Sequence, residues 1–248
     1  MSEMFPDVPA EELKAAMEQY DLDPENVIFS FNAVYVDTGD QRVLVDTGIG
    51  RGMGGRFLDH VDSEGISYNS INQIIFTHGH ADHIGGVTDP EGELVFPNAE
   101  YWMWADEWEY WQEESNMANE PPHAVESAKQ NLPAVADRLT LLRQEGEFIP
   151  GFSAIHAPGH TIGLMAVVIE SEGEKLLIAA DCFHFPFQVE YPELLAHVDR
   201  MPELVVDSRN KLLSYCVEND AKLHAYHFPH PGLGVVTRED GVFKWAGG

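Results

Sequence analysis

The chain has 248 residues, enough for one α/β domain or two small ones with a sizeable core. Its formal charge of -28, from 14 basic against 42 acidic residues, repels phosphate backbones and argues against nucleic-acid partners. Two cysteines make no disulfide framework, the acidic start Met1-Ser2-Glu3-Met4 lacks an apolar leader, and no apolar run is long enough for a bilayer. A cytoplasmic protein with free thiols and no membrane partner is expected. A Lys-poor acidic surface also suits a saline habitat, where self-repulsion is screened. No Pro/Ser-rich linker or short repeat marks a boundary, so a single domain over 1–248 is expected.

In chain order, proline and acidic residues start a helix over 9–20. Strands follow over 27–36 and 42–45, joined by the turn Asp37-Thr38-Gly39-Asp40-Gln41. Next, Gly50-Arg51-Gly52-Met53-Gly54-Gly55 matches G-x-G-x-x-G. A lone match without a clear βαβ unit around it is weak, and a mobile loop at the rim of a site is preferred to a nucleotide site. The β-branched and aromatic run 73–77 reads as a strand, as do 94–96 and 99–103. Helices are expected over 106–114 and over 124–142, the second interrupted by Pro133. Trp104, Trp108 and Trp111 share a helical face and read as packing against a sheet; the rival is an apolar wall or a subunit interface, which would make a homodimer. Strands over 153–157, 164–170 and 175–180, a helix over 203–218, and short strands over 222–227, 234–237 and 242–245 complete the chain. Strands lead and helices follow, twice, which supports an α/β or α+β class.

The chemistry concentrates in Thr77-His78-Gly79-His80-Ala81-Asp82-His83-Ile84-Gly85-Gly86. If 73–77 is a strand, His78 and His80 leave its end on one face and can reach one ion. Asp82 and His83 fall at the start of the next element, where Gly85-Gly86 permits a close backbone approach, and these two turn towards a second ion. Imidazole and carboxylate donors suit zinc, with manganese, iron and cobalt as alternatives. A single histidine in an arbitrary loop is more often structural; four ligand-type residues at this spacing reverse that preference.

Thr-His-x-His-x-Asp-His-x-Gly-Gly resembles the signature of the metallo-β-lactamase superfamily. The later pieces stand in the order that family uses: Ala157-Pro158-Gly159-His160-Thr161-Ile162-Gly163, then Ala180-Asp181, then Ala225-Tyr226-His227-Phe228-Pro229. The resemblance runs from about Asn32 to His227. It implies a four-layer αββα sandwich, two mixed sheets face to face with helices outside. It further implies that His78, His80 and His160 hold one metal, that Asp82, His83 and His227 hold a second, that Asp181 bridges them, and that Asp46 in Val45-Asp46-Thr47-Gly48 supports the site from behind. Cys182, beside Asp181, is read as a core thiol. His60, His123, His156, His197, His224 and His230 are read as structural, and only the resemblance selects His227 among its neighbours.

His184 stands three residues after Asp181, where the superfamily's acyl-homoserine lactonases commonly carry a tyrosine that contacts the substrate. Together with Phe228-Pro229-His230-Pro231-Gly232 it is more similar to the branch containing methyl parathion hydrolase and its esterase and lactonase relatives. The implied activity is hydrolysis of small neutral esters, lactones or phosphotriesters by a hydroxide shared between two metals. Asp82 would carry the proton and His184 would donate to the developing oxyanion, with Phe183, Phe185 and Phe187 flanking an apolar pocket. Rival readings are a glyoxalase II-type thioesterase, which wants basic residues that this chain is short of; a β-lactamase, which is usually exported; an iron-dependent persulfide-type oxidoreductase, told apart by metal content; and a non-catalytic metal-stabilised module, disfavoured because all seven ligand positions are filled.

Overall fold

The computed structural model describes residues 1–247. They form two compact units: a continuous one, Ala33–Gln144, and a split one made of Met1–Asn32 and Glu145–Gly248. The split unit opens with α1 (Ala10–Glu18).

The continuous unit contains β1 (Val34–Asp37), β2 (Arg42–Val45), α2 (Phe57–Ser63), β3 (Gln73–Ile75), α3 (Ala81–Ile84), β4 (Glu100–Trp104), α4 (Ala105–Gln112), α5 (Glu114–Met117), α6 (Pro122–Val135) and β5 (Leu139–Leu142). They build one sheet in the order β1-β2-β3-β4-β5. The β1–β2 hairpin is antiparallel, and β3, β4 and β5 each pair parallel with the strand before. Parallel neighbours need crossovers; α2 supplies the first, and α4, α5 and α6 the last. On α6, Ala124, Ala128, Leu132 and Val135 are buried at helical spacing against Leu44, Ile74, Phe76 and Tyr101.

Three expectations fail in this unit. The helix over 124–142 stops at Val135, because its apolar spacing runs out at Asp137-Arg138; after the 3₁₀ turn Ala136–Arg138, the leucine-rich run pairs with β4 as a strand. Residues 94–96 form no strand but a single bridge from Leu94 to Thr88, with Phe96 turned into the core. The glycine-rich run 50–55 does lie in a βαβ crossover, β2-α2-β3. Gly50 nevertheless serves backbone packing, since a Cβ there would run into the Gly85 carbonyl, whereas Gly52 and Gly54 have nothing within 4 Å of that position.

The split unit adds β6 (Gly146–Ile149), β7 (Phe152–His156), β8 (Met165–Ser171), β9 (Glu174–Ile178), α7 (Phe187–Glu190), α8 (Pro202–Asn219), β10 (Lys222–His224), β11 (Leu233–Glu239) and β12 (Val242–Gly247). Its sheet runs β12-β11-β10-β9-β8-β7-β6, with β9 and β10 parallel and the other pairs antiparallel. Leu212, Leu213 and Cys216 of α8 pack on Ala166, Val168 and Leu177. Phe5, Leu13 and Met17 pack with Phe185, Phe187 and Leu194 in a second cluster. Residues 27–32, expected to extend the first strand, instead cross the split unit outside any sheet; their β-like aromatic content is used in ring contacts, Phe29 against Phe185 at 5.1 Å. The strand expected over 222–227 ends at His224, and β6, α2 and α7 were not anticipated.

Two mixed sheets, each flanked by helices, agree with the expected fold class. In both units a parallel strand pair, β2/β3 or β9/β10, releases donor-bearing chain from its C-terminal ends, the usual ligand edge of such sheets. No helix among the described residues is long and apolar enough to cross a membrane.

Candidate metal centre

In the continuous unit the donor residues hang on Asp46, which follows β2 in a left-handed backbone conformation (φ 64°) and is 1% exposed. Its Oδ1 accepts from Thr77 N at 2.9 Å; its Oδ2 accepts from Thr77 Oγ1 at 2.8 Å and from His83 Nδ1 at 2.8 Å. Thr77 Oγ1 also lies 3.1 Å from His78 Nδ1. With the hydroxyl proton given to Asp46, that oxygen accepts the imidazole proton. Both rings are thus held as Nδ1–H tautomers, and each presents a lone pair at Nε2. Burial raises the Asp46 carboxyl above its ordinary range, opposed by His83 and Thr77.

His78 Nε2 lies 3.0 Å from His80 Nδ1, and His83 Nε2 lies 3.6 Å from Asp82 Oδ2. The loop between the first two histidines is fixed by Glu107, buried on α4, which accepts from Gly79 N at 2.9 Å and Trp111 Nε1 at 3.0 Å. A Cβ on Gly86 would strike the Thr47 carbonyl, and that close approach lets Thr47 N and Oγ1 reach the His83 carbonyl at 2.7 and 2.9 Å.

In the split unit, three imidazoles surround one oxygen. Asp181 Oδ2 lies 3.1 Å from His227 Nε2, 3.4 Å from His160 Nε2 and 3.8 Å from His184 Nε2. The strand expected over 175–180 would have put Asp181 directly after it; β9 instead stops at Ile178, and Asp181 sits on the 3₁₀ turn Ala180–Cys182, entered through Ala180 at φ 48°. His227 Nδ1 donates to the Ser30 carbonyl at 2.9 Å, and the Phe29 and Phe31 rings stand edge-on to it at 5.0 and 5.4 Å. His160 Nδ1 donates to Asp199 Oδ1 at 3.3 Å.

His184 is 2% exposed, neither of its ring nitrogens has a hydrogen-bond partner among the described residues, and burial pushes its pKa down to about 3. It is a neutral imidazole. Cys182 is a buried free thiol pushed up to about 12 by burial, a protonated core group as expected.

These donors fit divalent metal ions. Four of the imidazoles have Nδ1 engaged by an oxygen, which leaves Nε2 as the ligating atom. Nitrogen and carboxylate donors without thiolate suit zinc, manganese, iron or cobalt. One expectation fails: Phe183, Phe185 and Phe187 do not flank a pocket, because each is at most 3% exposed within the apolar clusters. The sequence reading missed Glu107, Ser30 and Asp199, which no motif marks.

His224 provides a test of a structural histidine. Burial, aided by His230, pushes its pKa down to about 4. Below its unfolded pKa of about 6.5 the unfolded chain takes up a proton that the native imidazole refuses, so stability is present above that pH and is lost as pH falls through about 4. The loss should reach ~3 kcal/mol. His224→Gln should flatten the decline of the urea midpoint of metal-free protein across this window; an unchanged decline would reject it.

Residues 29–232 match the model of the metallo-beta-lactamase superfamily. The chain belongs to that superfamily. Its two mixed sheets flanked by helices are the metallo-β-lactamase fold. Among solved structures it is similar to AidC, a dizinc quorum-quenching lactonase, with 26% identity and a TM-score of 0.88 over 100% of this chain and 89% of that one. It is also similar to AbOPH, a hydrolase of the β-lactamase superfamily, with 27% identity and a TM-score of 0.89 over 98% and 88%. A curated relative, atrochrysone carboxyl ACP thioesterase of Passalora fulva, is 27% identical over 144 residues, 58% of this chain and 34% of the relative. The match therefore spans about a third of that relative's length.

Proposed function

We propose that the two donor sets together hold two divalent ions, zinc first, with manganese, iron or cobalt as alternatives. His78, His80 and His160 would hold one, Asp82, His83 and His227 the other, and Asp181 would bridge. The reaction is hydrolysis of small neutral esters, lactones or phosphotriesters in a single-domain cytoplasmic enzyme with room for a homodimer. The observation that carries this reading is the set of buried imidazoles whose Nδ1 protons are already committed, leaving Nε2 for metal. Similarity to a dizinc lactonase and to a hydrolase supports it.

When bound, the two cations would acidify water to a nucleophile at neutral pH and polarise the substrate's carbonyl or phosphoryl oxygen. Asp82 is the more open acidic donor, its side chain 21% exposed against 4% for Asp181. It can take the proton released by the nucleophile on a carboxylate oxygen and return it to the leaving oxygen. His184, neutral and with uncommitted nitrogens, can donate an N–H to the oxyanion as it forms. No Ser or Cys nucleophile is needed. The charge of -28 favours neutral over anionic substrates and argues against nucleic acid as partner.

A second reading, thioester hydrolysis, is favoured by the similarity to an ACP thioesterase. The test is a substrate panel on metal-quantified protein: aryl esters, lactones, phosphotriesters, an acyl thioester, a glutathione thioester and a β-lactam. Aryl esters, simple lactones or phosphotriesters should show the highest kcat/KM, at least matching long-chain acyl-homoserine lactones. Dominance of a thioester or a β-lactam would overturn the reading, as would one iron per chain with sulfur-dependent oxygen uptake. His184→Ala should lower kcat by about 10²- to 10³-fold with little change in KM. An unchanged kcat would return His184 to a structural role.

A further inference from the structure

His160, unlike His227, turns its Nδ1 to a carboxylate. Asp199 Oδ1 lies 3.3 Å away, and the Asp199 side chain has no exposed surface. The other oxygen accepts from Ala196 N at 3.0 Å and from Arg209 Nη2 at 3.3 Å. The main chain repeats the contact: Arg200 N donates to the His160 carbonyl at 3.1 Å, and Met201 N to the Gly159 carbonyl at 2.8 Å. Residues 199–201 therefore grip 159–160 by side chain and backbone together.

Arg209, on α8, is 0% exposed. Its Nε donates to the Cys182 carbonyl at 2.7 Å, and its Nη1 to the Pro192 and Leu194 carbonyls at 2.9 Å each. Cys182 follows Asp181 in the chain, so one guanidinium ties the turn bearing Asp181 to the carboxylate behind His160. An internal ion pair alone would need only the oxygen facing Arg209. The second oxygen of Asp199 is given to an imidazole whose far nitrogen points at Asp181.

We propose that Asp199 is a positioning residue for His160, held in place by Arg209; this rests on His160 being a metal ligand. A carboxylate on Nδ1–H fixes the ring's rotation and tautomer and makes Nε2 a better donor. Asp199 would do for His160 what Asp46 does for His83 in the other unit. The nearby His184 makes a competing arrangement conceivable, in which His160, His184 and Asp199 hold an ion of their own; Arg209 already occupies Asp199 and disfavours it.

The first test needs no variant. In metal-free protein with isotope-labelled histidine nitrogens, in mildly alkaline buffer where imidazoles are neutral, His160 should be the Nδ1–H tautomer; its signals are identified by their loss in His160→Ala. Asp199→Ala should release the ring to a mixture, and Asp199→Asn, whose amide oxygen still accepts, should keep it. In a zinc competition titration, Asp199→Ala should lose about 10- to 100-fold in affinity for one ion, and Asp199→Asn should recover part of that loss. A wild-type His160 protonated on Nε2 overturns the proposal. So does Asp199→Ala binding zinc as the wild type does while His160→Ala does not, and so does a third ion per chain that His184→Ala and Asp199→Ala both release. Full zinc binding by His160→Ala overturns the ligand reading beneath it as well.

Discussion

Asp181→Ala should lose metal and nearly all activity, with kcat/KM down by at least on the order of 10³-fold, equivalent to about 4 kcal/mol of transition-state stabilisation. One carboxylate oxygen stands within 3.8 Å of His227, His160 and His184, so its removal takes the shared acidic neighbour from all three imidazoles. On the proposed ligand set it is also the only group shared by both ions, and without its charge two dications repel across a less neutralised gap. Metal content and kcat/KM should fall together. Two ions per chain with full activity in this variant would defeat the assignment. The single-site variants sort the remaining ligands: His160→Ala should act on one ion and His227→Ala on the other. If metal counts hold in His227→Ala but fall in His224→Ala or His230→Ala, the wrong histidine has been chosen.

Removal of metal by a chelator should abolish hydrolysis, and zinc, manganese or cobalt should restore it to different extents. The donors are imidazoles and carboxylates, which accept several first-row ions, whereas the acidity of bound water depends on which ion is present. The check is activity against measured metal content during stepwise reconstitution. Activity that persists after verified removal would end the mechanism.

What could be read from sequence was set by where the information lies. The spacing of His78, His80, Asp82 and His83 is local, so it survives without a fold, and the structure does gather these four with Asp46. Asp199 meets His160 from 39 positions away and Glu107 meets Gly79 from 28; neither carries a motif, and nothing in composition pairs them. The strand expected over 27–36 shows a different limit. Aromatic content suggests a half-buried strand, yet Phe29 packs edge-on to Phe185 and His227 outside any sheet, and Phe31 touches His227 while staying 45% exposed. Phe183, Phe185 and Phe187 failed similarly: alternation suggested a lining, yet all three are core.

The engaged Nδ1 atoms have a consequence for how the protein is loaded. A histidine free to turn surrenders rotational freedom when it is captured, at about 0.5–1.5 kcal/mol for each immobilised side chain. Here Thr77, Asp46, Asp199 and the Ser30 carbonyl hold four rings before any ion arrives. That ordering entropy is spent when the chain folds, so capture of an ion requires little rearrangement. Uptake by the folded apoprotein should then be limited by delivery and dehydration of the cation rather than by motion of the polypeptide.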